Sequence, residues 1–223
     1  MIKKDIKQKM QNPIPNVSFT FSESILKLFN DSDTFNLTIA NGHLKGANGS
    51  TKGASITISN DYLKKATDLS IARTMIHETV HAYLNVRYTQ VLSFEDGFDF
   101  KLKMEKFAID NGIANINSNK FHHEFMGQYV DAMAASLLIW DEKYGSKTNL
   151  GWEYYRSMAF GGLLVERMDA NGNLILDKDG NKIYDDTNSF KALVPKESDR
   201  DKIKNILENE QNGNSKSKGK KCK

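Results

Sequence analysis

The sequence predicts an α+β fold in which a small mixed sheet packs on one central helix, with further helices toward the C-terminus. Three observations carry this. Early segments alternate apolar and polar residues at a period of two, the stretch from Leu69 to about Val86 repeats apolar residues every three or four positions, and two more helical patterns follow it. At 223 residues and 39% hydrophobic content, the chain can bury one substantial core, so a single domain is expected. That domain is expected to span residues 1–211, with a hairpin near 169–186 and a helix near 199–211 as an appendage. Residues 212–223 read as a disordered basic tail.

The elements follow in order. "VSFTFS" (17–22) and "FNLTIA" (35–40) alternate, are rich in β-branched and aromatic residues, and are bounded by Asn, Asp and Gly, so both read as strands. "GASITISNDYL" puts Ile56 and Ile58 on one face of a third strand that runs into a helical segment. Next, Leu69, Ala72, Ile76, Val80 and Tyr83 form the stripe of an amphipathic helix, with Asp68 or Ser70 as its N-cap. "SFEDGFDFKLKMEKFAIDNG" fits strand and helix alternately and is read as helix. A continuous helix is expected from about Phe121 to Asp141, and another from about Gly151 to Leu164, weakened near its end by Gly161-Gly162. Asn171-Gly172 and Asp179-Gly180 mark hairpin turns around "NLIL" and "KIY"; the sixth-position glycine and closing glutamate of a calcium loop are missing. Ser198-x-x-Asp201 resembles a capping box for the last helix, which ends near Asn212-Gly213.

Composition excludes several classes. The one cysteine, Cys222, lies in the terminal segment, so neither an intramolecular disulfide nor a cysteine-based metal site can form. Any metal must be held by His and carboxylates. No apolar run reaches the length of a membrane span, and "MIKKDIKQKMQNPIPNVSF" has no apolar signal-peptide core. The net charge of +3 is concentrated in "NSKSKGKKCK", which reads as a solvated end rather than a nucleic-acid contact.

Chemistry enters with "MIHETVHAYL". Residues four apart on a helix lie one above the other, so His77 and His81 can direct two imidazoles at one ion. Glu78, about a quarter turn away, can reach water on that ion without binding it. Zinc would lower the pKa of such water to about 7, and Glu78 is then the general base. A catalytic zinc needs a third protein ligand. His43 sits in a turn-like "NGHLKG" and reads as solvated. "FHHEFMGQYVDAMAASLLIW" offers His122, His123 and Glu124 in one helical turn. Met126, Val130, Ala134 and Leu137 share the face of His123, whereas Glu124 falls with Gln128 and Asp131 on a polar face and His122 turns toward Tyr129 and Trp140. His123 is therefore the expected third ligand, with His122 and Glu124, then Asp131, as alternatives. The histidine that is not a ligand is expected beside the site or at the surface.

These segments, together with "YYRSMAFGGL" and "DTNSFKALVPKESDR", resemble the zincin metallopeptidase domains at the C-termini of bacterial polymorphic toxins and related secreted proteins, over about residues 54–211. HExxH is the specific motif among them. The resemblance implies a zincin-like fold, a zinc cofactor, proteolysis of a protein or peptide substrate, and a toxin or effector role with a cognate immunity or inhibitor protein. Export as part of a larger protein is left open, and nucleic acid is not an expected partner. A more distant similarity is to SprT-like proteases, whose His-Gly-x-x-Phe context is absent here. Zincins commonly border the cleft with an upstream strand that pairs with extended substrate, a role "ASITIS" could take, and often use a tyrosine at the oxyanion, for which Tyr129, Tyr154 and Tyr155 are candidates. The alternatives in other classes are an inactive, zinc-stabilised binding protein and a nucleic-acid-associated protease.

Overall fold

The structure is a computed structural model that describes residues 36–89, 104–110, 112–113, 119–167 and 183–221, with isolated positions at 25, 26, 29, 169, 170, 173, 175, 176 and 178. It is mixed α+β. Three strands, β1 (Thr38–Gly42), β2 (Gly49–Lys52) and β3 (Ser55–Ser59), form a sheet of order β1-β3-β2. β3 runs parallel to β1 and antiparallel to β2. Ile56 and Ile58 are buried on one face of β3, which is why this strand is central. Paired on both sides, "ASITIS" cannot take the substrate-pairing role considered for it: among the described residues the edges are β1 and β2. Nothing in the pattern of "GSTK" announces β2, since it carries no apolar alternation; the strand is held by backbone pairing and by a two-residue connection in which Gly53 takes φ 60°. The expected strand at 17–22 lies outside the described residues.

Helix α1 (Asn60–Lys65) follows β3 directly, capped by Ser59 Oγ, which accepts the Tyr62 N–H. Buried Tyr62 places its hydroxyl 2.8 Å from both Ser70 and Thr74, fastening α1 to α2 (Asp68–Thr89). The cap of α2 is Thr67, whose Oγ1 accepts the Ser70 N–H at 3.1 Å; neither Asp68 nor Ser70 caps it. Leu69, Ala72, Val80, Ala82, Leu84 and Val86 are all buried, so α2 is a central helix covered on most sides.

A helical segment at residues 104–110 buries Met104 and Ala108. The single helix expected over 121–141 is broken into α3 (Asn119–Met126), a 3-10 turn at Gly127–Tyr129, and α4 (Val130–Lys143). Its cause lies far along the chain. Ser189 Oγ donates to the Glu124 carbonyl at 2.6 Å, taking an acceptor that a continuous helix reserves for the amide four residues on, and a Cβ at Gly127 would collide with the Ser189 side chain.

The next helix, α5 (Trp152–Ala159), stops five residues earlier than expected, in a turn through Gly161 and Gly162 that leads into β4 (Leu164–Glu166). β4 pairs antiparallel with β5 (Tyr184–Asp186), and backbone bonds from Arg167 to Ile183 and from Ile175 to Arg167 continue the hairpin region. Two helices close the fold: α6 (Asn188–Leu193), capped by Thr187, and α7 (Glu197–Asn212). Ser198 does not cap α7. The cap position is Lys196, without a side-chain bond, and the helix ends at Gly213 in the left-handed conformation.

Two further expectations are corrected by α7 and the segment after it. Ile203 and Leu207 belong to the core, so α7 is integral rather than appended. Residues 213–221 do not trail into solvent as their lysines suggest. Lys218 and Gly219 donate their amides to Glu210, Lys220 exchanges bonds with Asp68, and Lys221 bridges Thr67. Glu210 is fully buried and also accepts from Thr67 Oγ1 and Tyr154 OH, each at 2.5 Å. One carboxylate thus joins the start of α2, α5 and the terminal segment. Glu210→Ala is expected to cost about 3–5 kcal/mol, since it leaves the buried Thr67 hydroxyl and the part-buried Tyr154, Lys218 and Gly219 donors without their charged acceptor; denaturant unfolding measures it, and a loss below about 1 kcal/mol would count against the junction. Among the described residues no helix is long and apolar enough to cross a membrane.

Candidate metal centre

α2 carries His77 and His81 one turn apart, both buried, with their Nε2 atoms 3.1 Å apart. α3 crosses so that His123 faces them, its ring centroid 5.5 Å from that of His77 and 5.3 Å from that of His81. One ligating atom from each of the three lies within 4.8 Å of the others, a group that could hold a metal ion. Tetrahedral coordination at about 2.0–2.1 Å requires nitrogens roughly 3.3 Å apart, which the α2 pair nearly meets.

The surroundings fit that role. His123 Nδ1 lies 2.9 Å from the Leu164 carbonyl of β4. A carbonyl only accepts, so Nδ1 carries the proton and Nε2 presents its lone pair. His81 Nδ1 stands 3.2 Å from Nδ1 of buried His122, which fixes the far side of that ring. His77 Nδ1 is buried without a hydrogen-bond partner, and its ring is held by backbone: a Cβ on Gly162 would come 2.5–2.9 Å from three ring atoms. Gly162 also has φ 89°, so glycine is required there twice over. Burial first, then the neighbouring imidazoles, holds His77 and His81 below the usual histidine range. The neutral imidazole that results is the metal-binding form.

Glu78 stands apart from the three nitrogens. Its Oε2 accepts from Thr51 Oγ1 of β2 at 2.6 Å, and the same hydroxyl lies 3.2 Å from the Glu78 carbonyl. Gly49, two residues before Thr51, packs so closely that a Cβ would lie 2.8 Å from the carboxylate. Burial raises the Glu78 pKa from the ordinary carboxylate value, opposed by the Thr51 bond and the charge of Arg73. The result is a carboxylate held with a raised proton affinity.

The other sequence candidates go elsewhere. Glu124 is buried rather than on a polar face: its two oxygens accept the Asn188 and Ser189 amides at 2.7 Å each, capping α6. The polar-face assignment failed because its partner is 64 residues away. Asp131 pairs with Arg156 at 2.8 Å, and His43 is exposed. Tyr154 and Tyr155 donate to Glu210 and Asp141, at 2.5 and 2.7 Å, and burial pushes both hydroxyls up, so they are tied into the framework. Burial pushes Tyr129 up to about 12. Three residues that the sequence did not single out support the site: Thr51, Leu164 and Gly162. Only Gly162 left a signal, in the Gly-Gly pair read as a helix weakener. Comparison of the chain with protein-family models, with curated proteins and with solved structures finds no match.

Proposed function

We propose that the protein is a zinc-dependent peptidase in which His77, His81 and His123 hold the metal and Glu78 is the general base. One observation carries the reading: three buried or half-buried imidazoles converge within 4.8 Å while the one carboxylate beside them is kept out of the set by Thr51. A structural zinc site would fill its fourth position with a protein ligand, and among the described residues none is present. A bound zinc ion would supply Lewis acidity, polarising the scissile carbonyl and acidifying water. Glu78, held by Thr51, would accept the proton of the attacking water and return it to the leaving amine. Thr51 holds that carboxylate in place through both half-reactions.

Substrate is expected along β2. Asn48 accepts the Ser59 amide at 2.9 Å, which sets the alternation of the antiparallel ladder: residues 48, 50 and 52 bond to β3, and the backbone groups of Gly49 and Thr51 face outward. An extended peptide pairing there would run beside the strand that touches Glu78. Such pairing uses main-chain groups and demands little of substrate sequence.

The test is direct. Protein reconstituted with zinc should retain about one equivalent and hydrolyse an unstructured protein such as casein; a chelator should abolish hydrolysis and added zinc restore it. Loss of all zinc on gentle desalting would defeat the reading. Retained zinc without hydrolysis of any peptide would favour a zinc-stabilised binding protein.

A further inference from the structure

Arg73 precedes His77 by one helical turn on α2 and is only 7% exposed, yet it joins no ion pair and donates no hydrogen bond among the described residues; its Nε is fully buried and unsatisfied. The two nearest acids along the helix, Asp68 and Glu78, each five residues away, are turned to the Leu69 and Lys220 amides and to Thr51. A buried guanidinium with no anion in contact among the described residues is costly, and such a group calls for an anionic partner. The residue is also built in with care. Its guanidinium lies against Gly161, where a Cβ would come 2.7–2.9 Å from Cζ, Nε and Nη1. Gly161 and Gly162 thus make room for neighbouring α2 side chains, the first for Arg73 and the second for His77. The charge of Arg73 is felt at both His77 and Glu78, so it borders the same centre. Helical phase sets it on the flank of His77 away from Glu78: about 40° to one side, with Glu78 about 100° to the other.

We propose that Arg73 is the anion-recognising residue of this site, selecting substrates that bring a carboxylate to the flank of His77 opposite Glu78. The inference rests on the peptidase reading for the class of substrate. In a peptide the carboxylate comes from the chain end or from an acidic side chain, and the planar guanidinium fork fits either.

Two measurements test it. The first needs neither metal nor substrate. Arg73→Met keeps the length of the side chain and removes the unpaired charge, so its melting temperature should equal or exceed that of the wild type; a fall of more than about 5 °C would mean that Arg73 is a structural residue and overturn the proposal. The second uses zinc-loaded Glu78→Gln protein, to prevent turnover, with and without Arg73→Met. Three probes are titrated by calorimetry: N-acetyl-tetra-alanine with a free C-terminus, its C-terminal amide, and that amide with one alanine replaced by glutamate. One of the two carboxylate peptides should bind at least about tenfold more tightly than the plain amide, and Arg73→Met should erase the difference. Preference for the free C-terminus assigns the carboxylate to the chain end; preference for the glutamate peptide assigns it to a side chain. Equal binding of all three peptides, or a preference that survives Arg73→Met, overturns the proposal. Neither measurement reads hydrolysis, so a wild type that binds zinc but cleaves nothing would defeat the peptidase reading and leave the outcome for Arg73 intact.

Discussion

Glu78→Gln should retain zinc, fold and stability while lowering peptide hydrolysis by roughly 10²- to 10⁴-fold, the range that loss of general acid–base catalysis removes. Its side chain is nearly isosteric, and Thr51 Oγ1, now 2.6 Å from Oε2, can still donate to an amide oxygen. Glutamine, however, cannot take a proton from water. Burial raises the pKa of Glu78 in the metal-free fold, opposed by Thr51 and Arg73. The loss should fall on kcat, with little change in KM, since the residue is expected to act in the transition state rather than in substrate binding. Thr51→Val supplies the companion measurement. Removing its hydroxyl leaves the base in place but unheld, so activity should fall by less than in Glu78→Gln. Zinc content measured alongside kcat decides the matter: equal turnover of Glu78→Gln and wild type would remove Glu78 from the mechanism, and loss of zinc would mean that Glu78 supports the metal.

What was legible in the sequence was local. The α2 helix and its histidines could be read because a 3.6-residue period and a four-residue spacing are both contained in one turn-to-turn pattern. The burial of Ile56 and Ile58 could be read from a period of two. β2 could not, because an edge strand such as "GSTK" is held by main-chain pairing, which leaves no mark on side-chain pattern, and with it went Thr51. Longer-range contacts misled in a consistent way. Helical phase places Glu124 on a polar face, but its carboxylate is buried because it caps α6, and the same α6 breaks the helix behind it through Ser189. The lysines at 216, 218, 220 and 221 suggested a free tail, yet it is backbone amides, not side chains, that dock this segment on Glu210 and Asp68. In most of these cases the deciding partner lies tens of residues away or more.

Separating His123 from His122 is the sharpest test of the proposed metal centre, because it gives adjacent histidines different jobs. His123 has its Nδ1 committed to Leu164, which leaves Nε2 as its free donor to a metal; His122 instead meets the Nδ1 side of His81. An apparent zinc binding free energy of about 10–16 kcal/mol, shared among three or four ligands, is roughly 2.5–5 kcal/mol for each, so His123→Ala should weaken zinc binding by about 10²- to several 10³-fold. His122→Ala removes only the group that steadies a ligand from behind, for which about 10- to 100-fold is expected. His122→Asn should recover part of that loss, since an amide can still hydrogen-bond the imidazole, whereas His123→Asn should recover little, because an amide is a poor zinc ligand. Glu124→Gln completes the series: it should destabilise the fold through the cap of α6 while leaving zinc stoichiometry unchanged. Competition titration with a chromophoric chelator measures all of these variants on one scale. If His122→Ala proved the more damaging of the two alanine variants, the ligand role would pass to His122, and the bond from His123 to the Leu164 carbonyl would have to be read as packing between α3 and β4 rather than as the orientation of a ligand.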